Sequence, residues 1–143
     1  MSTITRQEAL AQLTAAGQDY EINQQTIDGL PIRTFNNAPE SLRQLFADAT
    51  SEATFYVFGD ERYTLNEMYC LSARLANALK HRYGIAKGDR VAISMRNYPE
   101  WVFSCWAVVA LGGAAVGINA WWTSSELEYG LTDSRPKVVI ADD

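Results

Sequence analysis

Side chains able to do chemistry are sparse in this 143-residue chain, and those with suggestive spacing fall at a few points. Arg96 beside Asn97 joins a cation to a carboxamide, a pair that can hold an anion. A helix cap with a solvated neighbour accounts for the same two residues and is the preferred reading. Asp142-Asp143 offers two carboxylates to a hard cation, although a polar strand end explains them more simply. Gly112 and Gly117 have the glycine spacing of a phosphate-binding loop. Ile118-Asn119 stand where Lys and Ser/Thr would meet phosphate and magnesium, so that spacing carries no chemistry. No G-x-G-x-x-G follows any candidate strand. His81 is the single histidine, which excludes a His-rich metal site and leaves a Ser-His-Asp triad unsupported. It sits between Lys80 and Arg82 near a helix end, where a solvated basic side chain is expected. Cys70 and Cys105 lie in apolar helical patterns and read as buried free thiols in a reducing compartment. From the residues alone, the catalytic, cofactor-binding and metal-binding assignments are all none.

The elements explain why these points matter. Thr5–Glu8 has the form of a capping box before Ala9, Leu10 and Leu13, predicting a short helix stopped by Gly17. Residues 20–35 alternate loosely around a Gly29-Leu-Pro31 turn and read as an extended arm or hairpin. Asn37–Glu40 opens a second helix striped by Leu42, Leu45, Phe46 and Ala49. Phe55–Phe58 and Glu61–Tyr63 flank Gly59-Asp60 as a hairpin. A second capping box, Thr64–Glu67, starts a helix whose apolar positions recur at helical spacing until Tyr83-Gly84.

From Lys87 onward the order becomes strand, helix, strand, helix, strand: Arg90–Met95, a helix capped by Asn97 with Pro99 in its first turn, Ala114–Ile118, a helix opened by Ser125–Glu128, and Val138–Ala141. Short connections in that order predict an α/β fold, a parallel β-α-β-α-β sheet with right-handed crossovers and helices on both faces, preceded by a helical/hairpin arm. Ligands of such sheets lie outside the carboxyl ends of the strands. Those ends are Met95-Arg96-Asn97, Ile118-Asn119 and Ala141-Asp142-Asp143.

Trp101–Trp122 is a run of 22 residues without a charge. Its length permits a membrane span, since about 20 apolar residues suffice. Gly112-Gly113 at the midpoint argues against one continuous helix, because each glycine costs about 1 kcal/mol of helix propensity. The expected outcome is a helix covered on all sides up to Leu111, a break, and a buried strand over Ala114–Ile118. Trp121 and Trp122 then follow a strand's carboxyl end, where they either pack or approach a ligand; packing is favoured.

Composition narrows the function classes. An apolar content of 48% with 20% charge is ordinary for a globular domain. The net charge of −5 and the scattered Lys and Arg residues argue against nucleic acid. The beginning of the chain lacks a signal-peptide apolar core, so cytoplasm is the default expectation, without a transmembrane span.

Several short motifs, in order, give the chain a family likeness. They are Tyr63–Met68, Ala73–Leu79, Lys87–Ile93, Arg96–Trp101, Ala110–Ala114 and Glu126–Tyr129. Each has a plain packing reason, but their order and spacing together resemble the adenylate-forming (AMP-binding) superfamily, over roughly residues 36–143. Gly29–Arg33 and Pro39–Leu42 resemble the amino-terminal arm of bacterial long- and medium-chain acyl-CoA synthetases. Asn119-Ala120-Trp121-Trp122 departs from the Asn-Pro of many relatives.

The resemblance implies an arm over 1–35 and the opening portion of a large N-terminal domain over 36–143, an incomplete part of a larger domain. It implies a parent ligase that joins a fatty or other carboxylic acid to AMP and then to coenzyme A, using ATP and Mg²⁺. The family's phosphate loop, Thr-Glu pair, ribose-binding Asp and C-terminal lysine match no residue of this chain, so none is carried over. The chain by itself is therefore expected to be inactive. Its expected partners are the rest of the parent enzyme or a second copy, which a free apolar edge at Val138–Ala141 would invite.

Overall fold

A computed structural model describes residues 4–143 and divides the chain after Glu40 into two compact units. In the first, helix α1 (Arg6–Leu13) is capped reciprocally by Thr5 and Glu8. It ends at Leu13 with Thr14 as its cap, so Gly17 is not its stop. Gly17 instead takes a φ of 79° in the following turn, where its amide donates to Glu21. Strands β1 (Ile22–Ile27) and β2 (Leu30–Phe35) form an antiparallel hairpin, one of the two forms expected for the arm. Its turn is Asp28-Gly29, both at positive φ, rather than Gly29-Leu-Pro31. This is the left-handed pair that matches the twist of a two-residue hairpin loop. Pro31 lies within β2 opposite Thr26, tolerated because the sheet has only two strands and therefore only edges.

The second unit begins with helix α2 (Leu42–Asp48), which starts just after the Asn37–Glu40 stretch expected to open it. Ser41 Oγ accepts the Gln44 amide at 3.1 Å and so defines the true cap. Only Phe46 of its predicted stripe is buried; Leu42 and Leu45 are exposed. Strands β3 (Thr54–Phe58) and β4 (Glu61–Thr64) pair as a bulged hairpin. β4 leads directly into α3 (Leu65–Tyr83), whose Thr64/Glu67 capping box and left-handed Gly84 cap stand as expected.

Strands β5 (Arg90–Ser94), β6 (Ala114–Ile118) and β7 (Val138–Ala141) form a parallel sheet in the order β6-β5-β7, with helices α4 (Pro99–Ala110) and α5 (Ser124–Ser134) between them. The chain steps from β5 to β6 on one side and then crosses back to β7 on the other. By the right-handed rule for parallel connections, a step one way followed by a crossing back the other way sets α4 and α5 on opposite faces. The central strand supplies the driest part of the core: Val91, Ala92 and Ile93 are fully buried. Leu79 of α3, Ile85, and Ala107 and Val108 of α4 cluster with Val91.

Three local expectations are corrected. Asn97 does not cap α4: Tyr98 holds the cap position without a side-chain bond, and Pro99 pre-forms the first turn. Helix α5 is capped by Thr123 with Glu126 rather than by Ser125 with Glu128, because the Glu126 carboxylate reaches back to the Thr123 amide at 2.8 Å. Cys70 is exposed and Cys105 half-buried, because α3 and α4 each present only part of their circumference to the core. Burial raises the Cys105 thiol pKa.

The apolar run resolves as helix, break and strand. At 12 residues α4 is about 18 Å long, well short of the roughly 30 Å hydrocarbon layer. No described helix is long and apolar enough to cross a membrane. Helix α4 is not covered on all sides: Pro99, Ser104, Ala107 and Val108 are buried and the rest are partly exposed. Strand β6 is likewise an edge strand, with only Ile118 buried.

Candidate functional site

The carboxyl ends of the three parallel strands meet as one surface. β5 delivers Met95 and Arg96, β6 delivers Asn119, and β7 delivers Asp142 and Asp143. Arg96 and Asp142, 46 residues apart, form the central ion pair: Nε donates to Oδ2 at 2.6 Å. The Arg96 amide reaches the same oxygen at 3.4 Å, and the guanidinium also donates to the Asp143 carbonyl at 3.1 Å. That hydrogen bond holds the Asp142 carboxyl below the usual carboxylate range and raises the guanidinium's already high pKa. The guanidinium lies 4.9 Å from the Tyr98 ring centre, and Phe58 meets that ring edge-on at 5.4 Å. Tyr56 donates its hydroxyl to the Asn97 carbonyl at 3.3 Å, so the β3–β4 hairpin braces the loop after β5.

Arg96 and Met95 stand between two open clefts. One, of about 450 Å³, carries Glu61, Glu100 and Asp142 beside Phe58 and Tyr98. The other, of about 540 Å³, is walled by Trp101, Trp121 and Ile118, with the carboxamides of Asn97 and Asn119. Both volumes lie within the range of ligand sites. Asn119 shapes the second cleft by an Asx turn, its side-chain oxygen accepting the Trp121 amide at 3.0 Å. The two tryptophans then part company. Trp121 is 80% exposed, whereas Trp122 lies so close over Gly130 that a Cβ there would meet its ring at 2.6 Å.

Of the residues weighed from sequence, the structure brings Arg96 and Asp142 together and thereby removes each from its separate candidacy. Arg96 is not a free anion receptor, and Asp142 faces a guanidinium. No group of three or more His, Cys, Asp or Glu is placed to hold a metal among the described residues. Gly112 and Gly117 do not form a phosphate loop. They run from the end of a helix into a strand, the reverse of the strand-to-helix direction in which amides and a helix N-terminus converge on phosphate. The strand ends therefore do not fit a magnesium triphosphate: the one cation is already paired, and its neighbours are carboxylates. The pairing of Arg96 with Asp142 had one signal in the sequence, the parallel order that sets the ends of β5 and β7 side by side.

Comparison with known proteins assigns the chain to a family. The AMP-binding enzyme family model matches residues 44–143, and the chain belongs to that family. A long-chain-fatty-acid–CoA ligase of Bacillus subtilis is 33% identical over 114 residues, covering 80% of this chain and 20% of its own length. Among solved structures, the N-terminal domain of FACL13 from Mycobacterium tuberculosis superposes with a TM-score of 0.63 at 37% identity, covering 69% of this chain and 26% of that one. The anthranilate CoA ligase AuaEII, in complex with anthranoyl-AMP, gives 0.66 at 29% identity, covering 71% and 20%. The chain spans about a fifth of the length of curated relatives such as these ligases.

Proposed function

We propose that this chain is the opening portion of an ATP-dependent acid–CoA ligase, with residues 1–35 as an arm and 36–143 as the start of the large N-terminal domain. The match of the AMP-binding family model across 44–143 carries this reading, supported by the identity to ligases of fatty and aryl acids. The parent would activate a fatty or other carboxylic acid as its adenylate and pass the acyl group to coenzyme A. ATP, Mg²⁺ and coenzyme A would be held by residues outside this chain, and cytoplasm is the setting this reading assigns. The role of 4–143 is then scaffolding: it supplies three parallel strands and fixes the direction of the loops at their carboxyl ends.

The purified 143-residue chain should show no acid-dependent ATP–pyrophosphate exchange, whereas a polypeptide carrying this segment together with the remainder of a ligase should release pyrophosphate and form an acyl thioester. Exchange by the 143 residues alone would overturn the assignment of a scaffold role. Absence of acid-dependent pyrophosphate release from the longer polypeptide would overturn the ligase reading.

A second reading rests on the sheet edges. Among the described residues β7 pairs only with β5, Val139 on it is 46% exposed, and β6 is also paired on one side only. Open edges of this kind recruit further strands, which favours an association module that binds a second copy or a longer ligase. Sedimentation should then show dimers at tens of micromolar; a strictly monomeric species counts against it.

A further inference from the structure

We propose that the open pocket bordered by α2, α3 and α4 is a binding site for a small monocarboxylate with an apolar body. The pocket lies away from the strand ends and has a volume of about 220 Å³. Cavities of about 150 Å³ admit a benzene ring, so a ring or a short alkyl chain fits.

Three alanines create the space: Ala73 and Ala76 on α3 and Ala110 on α4. Its floor is aromatic. Phe46, 4% exposed, stacks on Trp106 at 4.3 Å and meets Tyr69 edge-on at 5.5 Å. Its exposed rim is cationic, with Arg43 from α2 and Lys80 from α3, and Asn77 also lines it. No acidic residue lines the pocket, in a chain whose net charge is −5. The ion pairs among the described residues are Arg96–Asp142 and Lys137–Asp89, so neither rim cation is neutralised by a carboxylate.

Lys80 has an ordinary reason to stand in the last turn of α3, where the helix dipole favours a cation. Arg43 has none. It occupies the first turn of α2, where the dipole disfavours it and an acidic residue is the normal choice. An apolar floor under two unpaired cations is complementary to a carboxylate joined to a hydrocarbon body, and a neutral amphiphile of the same shape would forgo the charge contact. The site needs neither ATP nor turnover, so it stands or falls separately from the ligase reading.

Calorimetric titration of the full 143-residue chain with benzoate and with octanoate tests this, with octan-1-ol as the uncharged control. The expected result is saturable millimolar or tighter carboxylate binding, weakened at least about tenfold by Arg43→Gln with Lys80→Gln and abolished by Ala73→Trp. Both rim residues and Ala73 are exposed, and far-UV circular dichroism checks that each variant folds. Should Ala73→Trp fail to fold, the rim variant alone decides. Absence of saturable binding, octan-1-ol binding as tightly as octanoate, or unchanged affinity in the rim variant would each overturn the proposal.

Discussion

The two ends of the parallel sheet carry the same kind of ion pair and use it differently. At the amino end, Lys137 just before β7 donates to Asp89 at 2.9 Å and to the Gly84 carbonyl at 2.7 Å, while Asp89 also accepts the Ala86 amide at 2.8 Å. Every bond there ties a helix end or turn to a strand start. The Gly88 amide meets the Gly112 carbonyl at 2.9 Å, and the Ala114 amide the Asp89 carbonyl at 2.8 Å, closing the surface. At the carboxyl end, the Arg96–Asp142 pair stands between two open clefts. The amino end is built as a seam, the carboxyl end as a frame. One fold can therefore spend similar chemistry on stability at one pole and on shape at the other.

The seam breaks most severely at Gly113. A Cβ there meets the Asp89 carbonyl at 3.0 Å, Val108 Cγ1 at 3.1 Å and the Val108 carbonyl at 3.2 Å, two of them backbone atoms. Gly113→Val should cost about 1–3 kcal/mol in urea unfolding, as overpacking does. A loss no greater than that of a surface substitution would show that the amino end yields as easily as the frame.

Within the frame, the paired tryptophans sharpen the contrast between structure and opening. Trp122→Ala removes the ring packed over Gly130 and should destabilise by about 1 kcal/mol, whereas Trp121→Ala should stay within about 0.5 kcal/mol. Equal losses in equilibrium unfolding would mean that Trp121 is also a packing residue.

The ion pairs should give the smallest effects, separated by pH. Hydrogen bonds from Lys137 and Ala86 lower the Asp89 pKa, and those from Arg96 lower that of Asp142. Each depressed carboxylate contributes stability above its unfolded pKa of about 3.9 and loses it as pH falls through the native value. At neutral pH, Asp89→Asn should lower the urea midpoint more than Asp142→Asn, because Asp89 serves two donors from separate segments. Both deficits should shrink on acidification through that window. A larger deficit for Asp142→Asn would reverse the roles assigned to the two ends.

Local features were the legible ones. Thr5/Glu8 and Thr64/Glu67 revealed their helices because a capping box is complete within four residues. Gly84 and Gly112 marked helix ends because positive φ suits glycine. Where two local choices were close, sequence picked the wrong neighbour: Asn97 over Tyr98, Ser125 over Thr123, Asn37 over Ser41. At α2 and α5 several residues had capping chemistry, and the bond actually made depends on where the preceding chain arrives; α4 makes no side-chain cap bond and relies on Pro99. Burial was less legible. Cys70 sits in an apolar pattern yet faces outward, because the pattern states periodicity and not which flank is covered.

What the sequence determined by itself was the order of elements, the glycine break in the apolar run, and hence an α/β sheet of three parallel strands; each depends on propensity, capping or periodicity over short spans. Tertiary structure alone decided that β5 lies in the centre, that Arg96 meets Asp142 across 46 residues, that Trp122 packs while Trp121 stays exposed, and that Arg43 and Lys80 share one rim. The reason is geometric. A crossover back past β5 makes neighbours of residues whose separation along the chain carries no record of that contact.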